Sequence, residues 1–229
     1  MSDKQRLSKQ RSGTQLNRTS KKQEEKLGSS VKDVLNYCIE KHCVKLVYEK
    51  NLYLKDVIND LKLNYKDVDF KCNFENTSMK PDGGLLYLLD NDNNRYIVLI
   101  TEIKNQGTND SRQADGLKKQ AKGNAIERLG KNVIGFRAAF SKEDIFPFVC
   151  FGDGCDFSID SAILDRVSTV AQFGELNKSY IYKQSNFQRG SFYFREQKWS
   201  QEEMFPIMKD IAERSILHYF SKYGDIKFK

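Results

Sequence analysis

Two acids and a lysine stand in a pattern that could do chemistry: Asp82 in "KPDGG", then Glu102 and Lys104 in "VLITEIKNQG". Side chains alternate faces along a strand, so Val98, Ile100, Glu102 and Lys104 are expected on one face and Leu99, Thr101 and Ile103 on the other. Two carboxylates can hold Mg2+ through oxygen, with phosphate and water completing the shell. Such a metal lowers the pKa of a bound water and offsets charge on a phosphate. A lysine beside it can position the attacking water and counter developing negative charge. The backbone carbonyl of Ile103 is a further candidate ligand. This is the chemistry of phosphodiester hydrolysis. The bland alternative is a surface Glu–Lys pair worth less than ~1 kcal/mol. On these three residues alone the surface pair is the better reading, and the spacing and hairpin bring the metal site level with it.

The elements around them favour convergence. "LLYLLD" and "RYIVLITEIK" flank Asn91-Asp92-Asn93-Asn94, a strand, an Asx-rich turn and a second strand. An antiparallel hairpin puts the start of its first strand, with Asp82, beside the end of its second, with Glu102 and Lys104. A strand apolar on both faces belongs inside a sheet. Further along, residues 105–116 form a polar loop, and "GNAIER" (123–128) opens a helix with Asn124 as cap and Glu127 in the capping-box position.

Helices are also expected from Ser29–Ser30 onward, in "LYLKDVINDLKL", in "SAILDRVSTVAQF" and at the C-terminal end, the last kinked or begun near Pro206. Strands are expected in "DVDFKCNF", "FPFVCF", "SYIYKQ" and "GSFYFREQ". The interleaving predicts an α/β fold, a central mixed β-sheet flanked by helices.

Composition bounds the partner. The 229 residues carry 38 Lys and Arg against 31 Asp and Glu, a net charge of +7, which favours an anionic partner such as nucleic acid. Between Met1 and Lys26, eight basic residues stand against Asp3, Glu24 and Glu25, so this segment holds +5 of the total. It has few large apolar residues, and residues 1–28 are expected to be a flexible basic arm, with residues 29–229 as one domain. The arm could lie along phosphates or simply aid solubility. Five cysteines without a CxxC pair, and no apolar run able to span a bilayer, point to a reduced cytoplasmic protein that uses no membrane. His42 and His218 fall in helical patterns and read as structural.

Taken in order and spacing, "SMKPDGG", "VLITEIKNQG" and "GNAIER" resemble the EcoRI-type restriction endonucleases of the PD-(D/E)xK nuclease superfamily. The resemblance continues in "ILDRVSTVAQFG" and weakly in "MFPIMKDI". It covers roughly residues 77–212, and "GNAIER" is its most specific part. It implies the superfamily's endonuclease core and a bacterial, homodimeric type II enzyme of a restriction-modification system. The cognate DNA methyltransferase would share the site without being a required binding partner. Asp82, Glu102 and Lys104 match the catalytic residues, and Asp82, Glu102 and Ile103 the ligands of Mg2+, for which Mn2+ would substitute.

In the same resemblance Asn124, Ala125 and Arg128 match residues that read the inner bases of an AATT core, with Glu127 orienting them. The chemistry agrees: Asn can pair with adenine N6 and N7, and Ala can touch a thymine methyl. A helix N-terminus also favours nearby phosphates. Lys122, next to Gly123, stands where the family pattern has a small residue or, in a related branch, an arginine. Arg166 matches one of two arginines linked to the outer base pair, but Thr169 stands where the second would be. The implied substrate is double-stranded DNA with a palindromic AATT-core site, cut to leave 5′-phosphates and 5′ AATT overhangs. The first expectation for the whole site is purine-AATT-pyrimidine, with GAATTC or bare AATT as alternatives. Rival readings are another nuclease of the superfamily, in repair or recombination, and a catalytically silent DNA-binding regulator.

Overall fold

The structure is a computed structural model and describes residues 16–105, 115–116, 124–159, 161–183 and 187–229. Its strands are β1 (Lys45–Glu49), β2 (Leu52–Tyr53), β3 (Ser78–Met79), β4 (Gly84–Leu89), β5 (Arg95–Asn105), β6 (Phe148–Asp153) and β7 (Ser191–Arg195). Its helices are α1 (Leu16–His42), α2 (Leu54–Asn64), α3 (Asn124–Ala139), α4 (Ala162–Val170) and α5 (Gln201–Tyr223). Five strands form one sheet in the order β1-β4-β5-β6-β7, while β2 and β3 pair separately. β1, β4 and β5 run antiparallel to their neighbours, and β5, β6 and β7 run parallel. This is the mixed sheet of an α/β fold.

Each face of the sheet is covered by two helices. Leu27, Val31, Val34 and Cys38 of α1 and Met204, Met208, Ile211 and Ile216 of α5 pack on Leu86, Leu88, Leu99, Ile103, Val149 and Phe151. Ile126, Leu129, Val133 and Phe136 of α3 and Ile163 and Val167 of α4 pack on Leu85, Ile97, Ile100, Phe148, Cys150, Phe192 and Phe194. The helical residues recur every three or four positions and the strand residues alternate, as each period requires.

One irregularity decides which face the site occupies. Leu86 pairs with Leu99 but Tyr87 pairs with Ile97, which leaves Val98 without a partner in β4. Val98 and Leu99 consequently both enter the core under α1 and α5, while Ile97 and Ile100 enter the core under α3. Strict alternation had put Val98 on the face of Ile100, Glu102 and Lys104. The bulge removes it from that face. Counted from Ile97 without the bulge, Glu102 would point at α1 and α5. With it, Glu102 points at α3.

Other expectations need correction. The flexible arm was expected through residue 28, but α1 already runs from Leu16. Leu27 is fully buried one turn before Val31, and the Lys26 carbonyl accepts from Gln201 Nε2 at 3.1 Å, so tertiary contact carries the helix back into the basic segment. Residues 67–74 are not a strand. Val68 and Phe74 are exposed there, and among the described residues no strand pairs with the segment. In "SYIYKQ" the described residues make only an isolated bridge, Tyr182 with Ile145. α5 starts at Gln201, five residues before Pro206, because Ser200 and Glu203 close a capping box around its first turn. Leu52 and Tyr53, expected in a helix, form β2, and α2 begins after them.

Candidate active site

The PDGG turn brings Asp82 to the strand end. Gly84 has φ +83°, and a Cβ there would meet the Tyr48 ring at 2.5 Å and the Glu49 carbonyl at 2.7 Å. Only glycine takes that backbone conformation in that space. Gly83 N–H then donates to the Thr101 carbonyl at 3.0 Å, extending the β4–β5 ladder back toward Asp82.

At that point side chain and backbone interlock. The Asp82 backbone N–H donates to Glu102 Oε2 at 3.0 Å, and the Ile103 N–H donates to Asp82 Oδ2 at 3.2 Å. The Lys104 ammonium lies 2.5 Å from Glu102 Oε1, 2.7 Å from Asp82 Oδ2 and 3.2 Å from the Ile103 carbonyl. The Glu102 side chain is fully buried, while Lys104 and Asp82 keep 15% and 23% of their surface. The pair is therefore not the exposed salt bridge of the bland reading. Solvent reaches the site from the Asp82–Lys104 side.

Burial pushes the Glu102 carboxyl above the ordinary range, and Lys104 pulls against that push, helped by its own hydrogen bond and that of Asn132. Burial also works against the Lys104 charge, but Glu102 and then Asp82 outweigh it and hold the ammonium protonated well above its usual range. With the Asp82 N–H, Lys104 and Asn132 donating to its two oxygens, the geometry is that of an ionised Glu102. Cys150, opposite Glu102 on parallel β6, is pushed far up by burial and stays a neutral thiol. Beyond Lys104, Asn105 donates to Asp153 Oδ1 at 2.7 Å and ties the end of β5 to β6.

The donor set suits a hard divalent cation. Three oxygens, from Asp82, Glu102 and Ile103, already converge on one positive charge, the Lys104 ammonium. Oxygen-rich donors of this type match Mg2+ or Mn2+ rather than a thiolate metal. Among the described residues no group of three or more His, Cys, Asp or Glu side chains could hold a metal, so a ligand set here must draw on the backbone carbonyl and on groups from outside the chain.

The described reading residues, Glu127, Arg128 and Arg166, lie on the two helices that cover this face of the sheet. α3 begins at Asn124, where the sequence put the cap, so Asn124 stands within the first turn. Glu127 and Arg128 are exposed while Ile126 and Leu129 are buried, so the helix turns those two polar residues to solvent. Arg166 is exposed on α4, which packs beside α3. Lys122 and Gly123 lie outside the described residues, as do the side chains of Asn124 and Ala125 and most of the 105–116 loop. His42 and His218 sit on α1 and α5, paired with Glu213 at 3.2 Å and Asp144 at 3.8 Å, away from these groups.

One site residue escaped sequence reading. Asn132 of α3 donates its Nδ2 hydrogen to Glu102 Oε1 at 2.8 Å. A signal existed: Asn132 is a polar residue between the buried Leu129 and Val133, four positions after Arg128.

The model of the family described as restriction endonuclease EcoRI matches residues 9–163, more than half of the chain. The chain belongs to the EcoRI restriction endonuclease family. The matched segment includes Asp82, Glu102, Lys104 and all of "GNAIER", and ends just before Arg166. The type II restriction enzyme RsrI of Cereibacter sphaeroides is 28% identical over 178 residues, 62% of this chain and 64% of that protein. The type II restriction enzyme EcoRI of Escherichia coli is 28% identical over 207 residues, 74% of this chain and 75% of that protein. The chain thus spans about two thirds of the length of the first relative and three quarters of the second. Among the described residues no helix is long and apolar enough to cross a membrane.

Proposed function

We propose that the protein is a Mg2+-dependent, site-specific deoxyribonuclease that hydrolyses double-stranded DNA at a palindrome with an AATT core. The observation that carries this reading is the convergence of Asp82, Glu102 and Lys104 at one sheet end. When bound, Mg2+ supplies Lewis-acid charge to the scissile phosphate and to the attacking water. Asp82, Glu102 and the Ile103 carbonyl are the residues that would hold it.

The chain's own groups do the rest. With a divalent ion held by those oxygens, Lys104 would release the two carboxylates, and its ammonium would position the attacking water and counter charge on the phosphate oxygens. Glu102, walled by Cys150 and Asn132, keeps a fixed orientation while the more exposed Asp82 meets the substrate. α3 presents Asn124 to adenine, Ala125 to a thymine methyl and Arg128 to purine acceptors, with Glu127 orienting them. Lys122 and Arg166 are assigned to the outer base pair, for which purine-pyrimidine degeneracy is the first choice, and Gly123 to the DNA contact beside them. The basic segment before α1 neutralises phosphates along the duplex.

A palindrome calls for a two-fold dimer, each subunit reading one half and cutting one strand. Cleavage before the first A of AATT leaves a 5′-phosphate, a 3′-hydroxyl and a four-base overhang. Digesting DNA of known sequence with Mg2+ and sequencing the fragment ends tests specificity, cut position and overhang together. Fragments ending at random positions, or at sites without AATT, contradict the reading.

A further inference from the structure

Glu102 is held from two directions. Its own sheet supplies the Asp82 N–H on Oε2 and the Lys104 ammonium on Oε1. A different layer supplies the third donor, Asn132 Nδ2 from the middle of α3, also on Oε1 at 2.8 Å. Glu102 is fully buried, so no water can replace a lost donor without rearrangement of its surroundings.

Asn132 is not part of the packing face of α3. That face is Ile126, Leu129, Val133 and Phe136. Asn132 lies half-buried at its edge, four residues after Arg128. Residues four apart lie on one side of a helix, about 5–6 Å apart at Cβ. The side of α3 that ends on Glu102 therefore begins, one turn earlier, at an exposed arginine. A hydrogen bond of 2.8 Å tolerates little travel, since N–H···O contacts beyond about 3.2 Å weaken quickly. A small shift of α3 along or about its axis would break this bond and leave the other two donors in place.

We propose that Asn132 is a positioning residue that couples the seating of α3 on DNA to the orientation of Glu102. It rests on the nuclease reading above. It adds that the fit of the first turn of α3 to the bases reaches the cutting centre through one side-chain amide. A correct sequence seats α3 and holds the carboxylate in register. An incorrect one lets Asn132 slip and costs turnover rather than binding.

The test is steady-state cleavage of a DNA carrying the preferred site and of one with a single inner base pair changed. The enzymes are wild type, Asn132→Ala, Asn132→Asp, Asn132→Gln and, as a packing control, Val133→Ala. Removing a hydrogen bond to a buried charge predicts a fall in kcat of about tenfold to a hundredfold for Asn132→Ala on the preferred site, with KM little changed. The changed site loses less, so discrimination in kcat narrows. Asn132→Asp, which turns an acceptor on Glu102, falls at least as far. Asn132→Gln, which keeps a donor, recovers part of the loss. Val133→Ala lowers the melting temperature and leaves kcat and discrimination in place.

If wild type does not cut, the nuclease reading fails. If wild type cuts and Asn132→Ala keeps its kcat, the coupling fails alone. It also fails if the loss lies in KM, if Asn132→Gln is no better than Asn132→Ala, or if discrimination is unchanged.

Discussion

The backbone N–H of Asp82 donates to the carboxylate of Glu102 at 3.0 Å, joining two acids that lie twenty residues apart in sequence. The bond uses the main chain of Asp82, and its carboxylate separately accepts from the Ile103 N–H and the Lys104 ammonium. Asp82→Asn keeps the N–H bond and the size of the side chain but removes the charge. The expected outcome is a folded protein that still binds DNA in a gel-shift assay and cuts more than about a hundredfold more slowly, the scale on which groups that offset charge at such centres act. A variant that cuts at the wild-type rate would remove Asp82 from the site.

Lys104 occupies the place where a cation is wanted. Its ammonium contacts both carboxylates and the Ile103 carbonyl, the same three groups assigned to the metal. In the free protein it must therefore compete with a divalent ion. Lys104→Met is expected to bind Mn2+ more tightly than wild type in the absence of DNA, measured by titration calorimetry, and yet to cut no DNA. Weaker Mn2+ binding in the variant would mean that the lysine and the metal do not share those oxygens.

The glycine of the PDGG turn should act on both stability and cutting. A Cβ at Gly84 needs a left-handed backbone and would sit 2.5 Å from the Tyr48 ring and 2.7 Å from the Glu49 carbonyl. Gly84→Ala is expected to destabilise the fold by roughly 1–3 kcal/mol, from overpacking and backbone strain together. Urea unfolding measures that loss. The displaced turn carries Asp82 with it, so cleavage should fall even at temperatures where the variant remains folded.

Acid sensitivity should arise at the far end of the same hairpin. Asp90 is buried and accepts from the backbone N–H of Asp92 and of Asn94, from Asn94 Nδ2 and from the Tyr96 hydroxyl, with Lys227 at 3.3 Å. Burial pushes its pKa up, but the Asn94 bonds and those of Lys227 and Tyr96 win and hold it down to about 2. An unfolded Asp titrates near ~3.9. The folded value is the lower one, so this contribution is complete above about pH 4 and is lost as pH falls toward 2. Asp90→Asn should be less stable than wild type at neutral pH, and the gap in urea midpoint should close through that window. A gap independent of pH would assign Asp90 a purely steric role.

Much of the site was legible because its parts are local or periodic. The Asn91–Asn94 turn paired β4 with β5, and that pairing alone brought Asp82 to Glu102 and Lys104. Two details were not. Alternation along β5 could not reveal the bulge at Val98, because Val98 and Leu99 are both apolar and either face accepts them. Asn132 carried a signal, a polar residue beside the buried face of its helix, but its partner lies thirty residues away in another layer, which local spacing does not reveal.

Elsewhere, tertiary contact overruled local signals. α1 extends into a segment too polar to fold by itself because Leu27 finds a core. The alternating residues 67–74 stay irregular, and among the described residues no strand pairs with them.

The most direct test of the account is a digest of plasmid DNA of known sequence by the purified protein with Mg2+, followed by sequencing of the fragment ends. Discrete fragments are expected, each end a 5′-phosphate with an AATT overhang, with none when the metal is chelated and more than about a hundredfold slower release when Asp82→Asn replaces wild type. Intact plasmid, random ends, or cleavage that persists in chelator would contradict it.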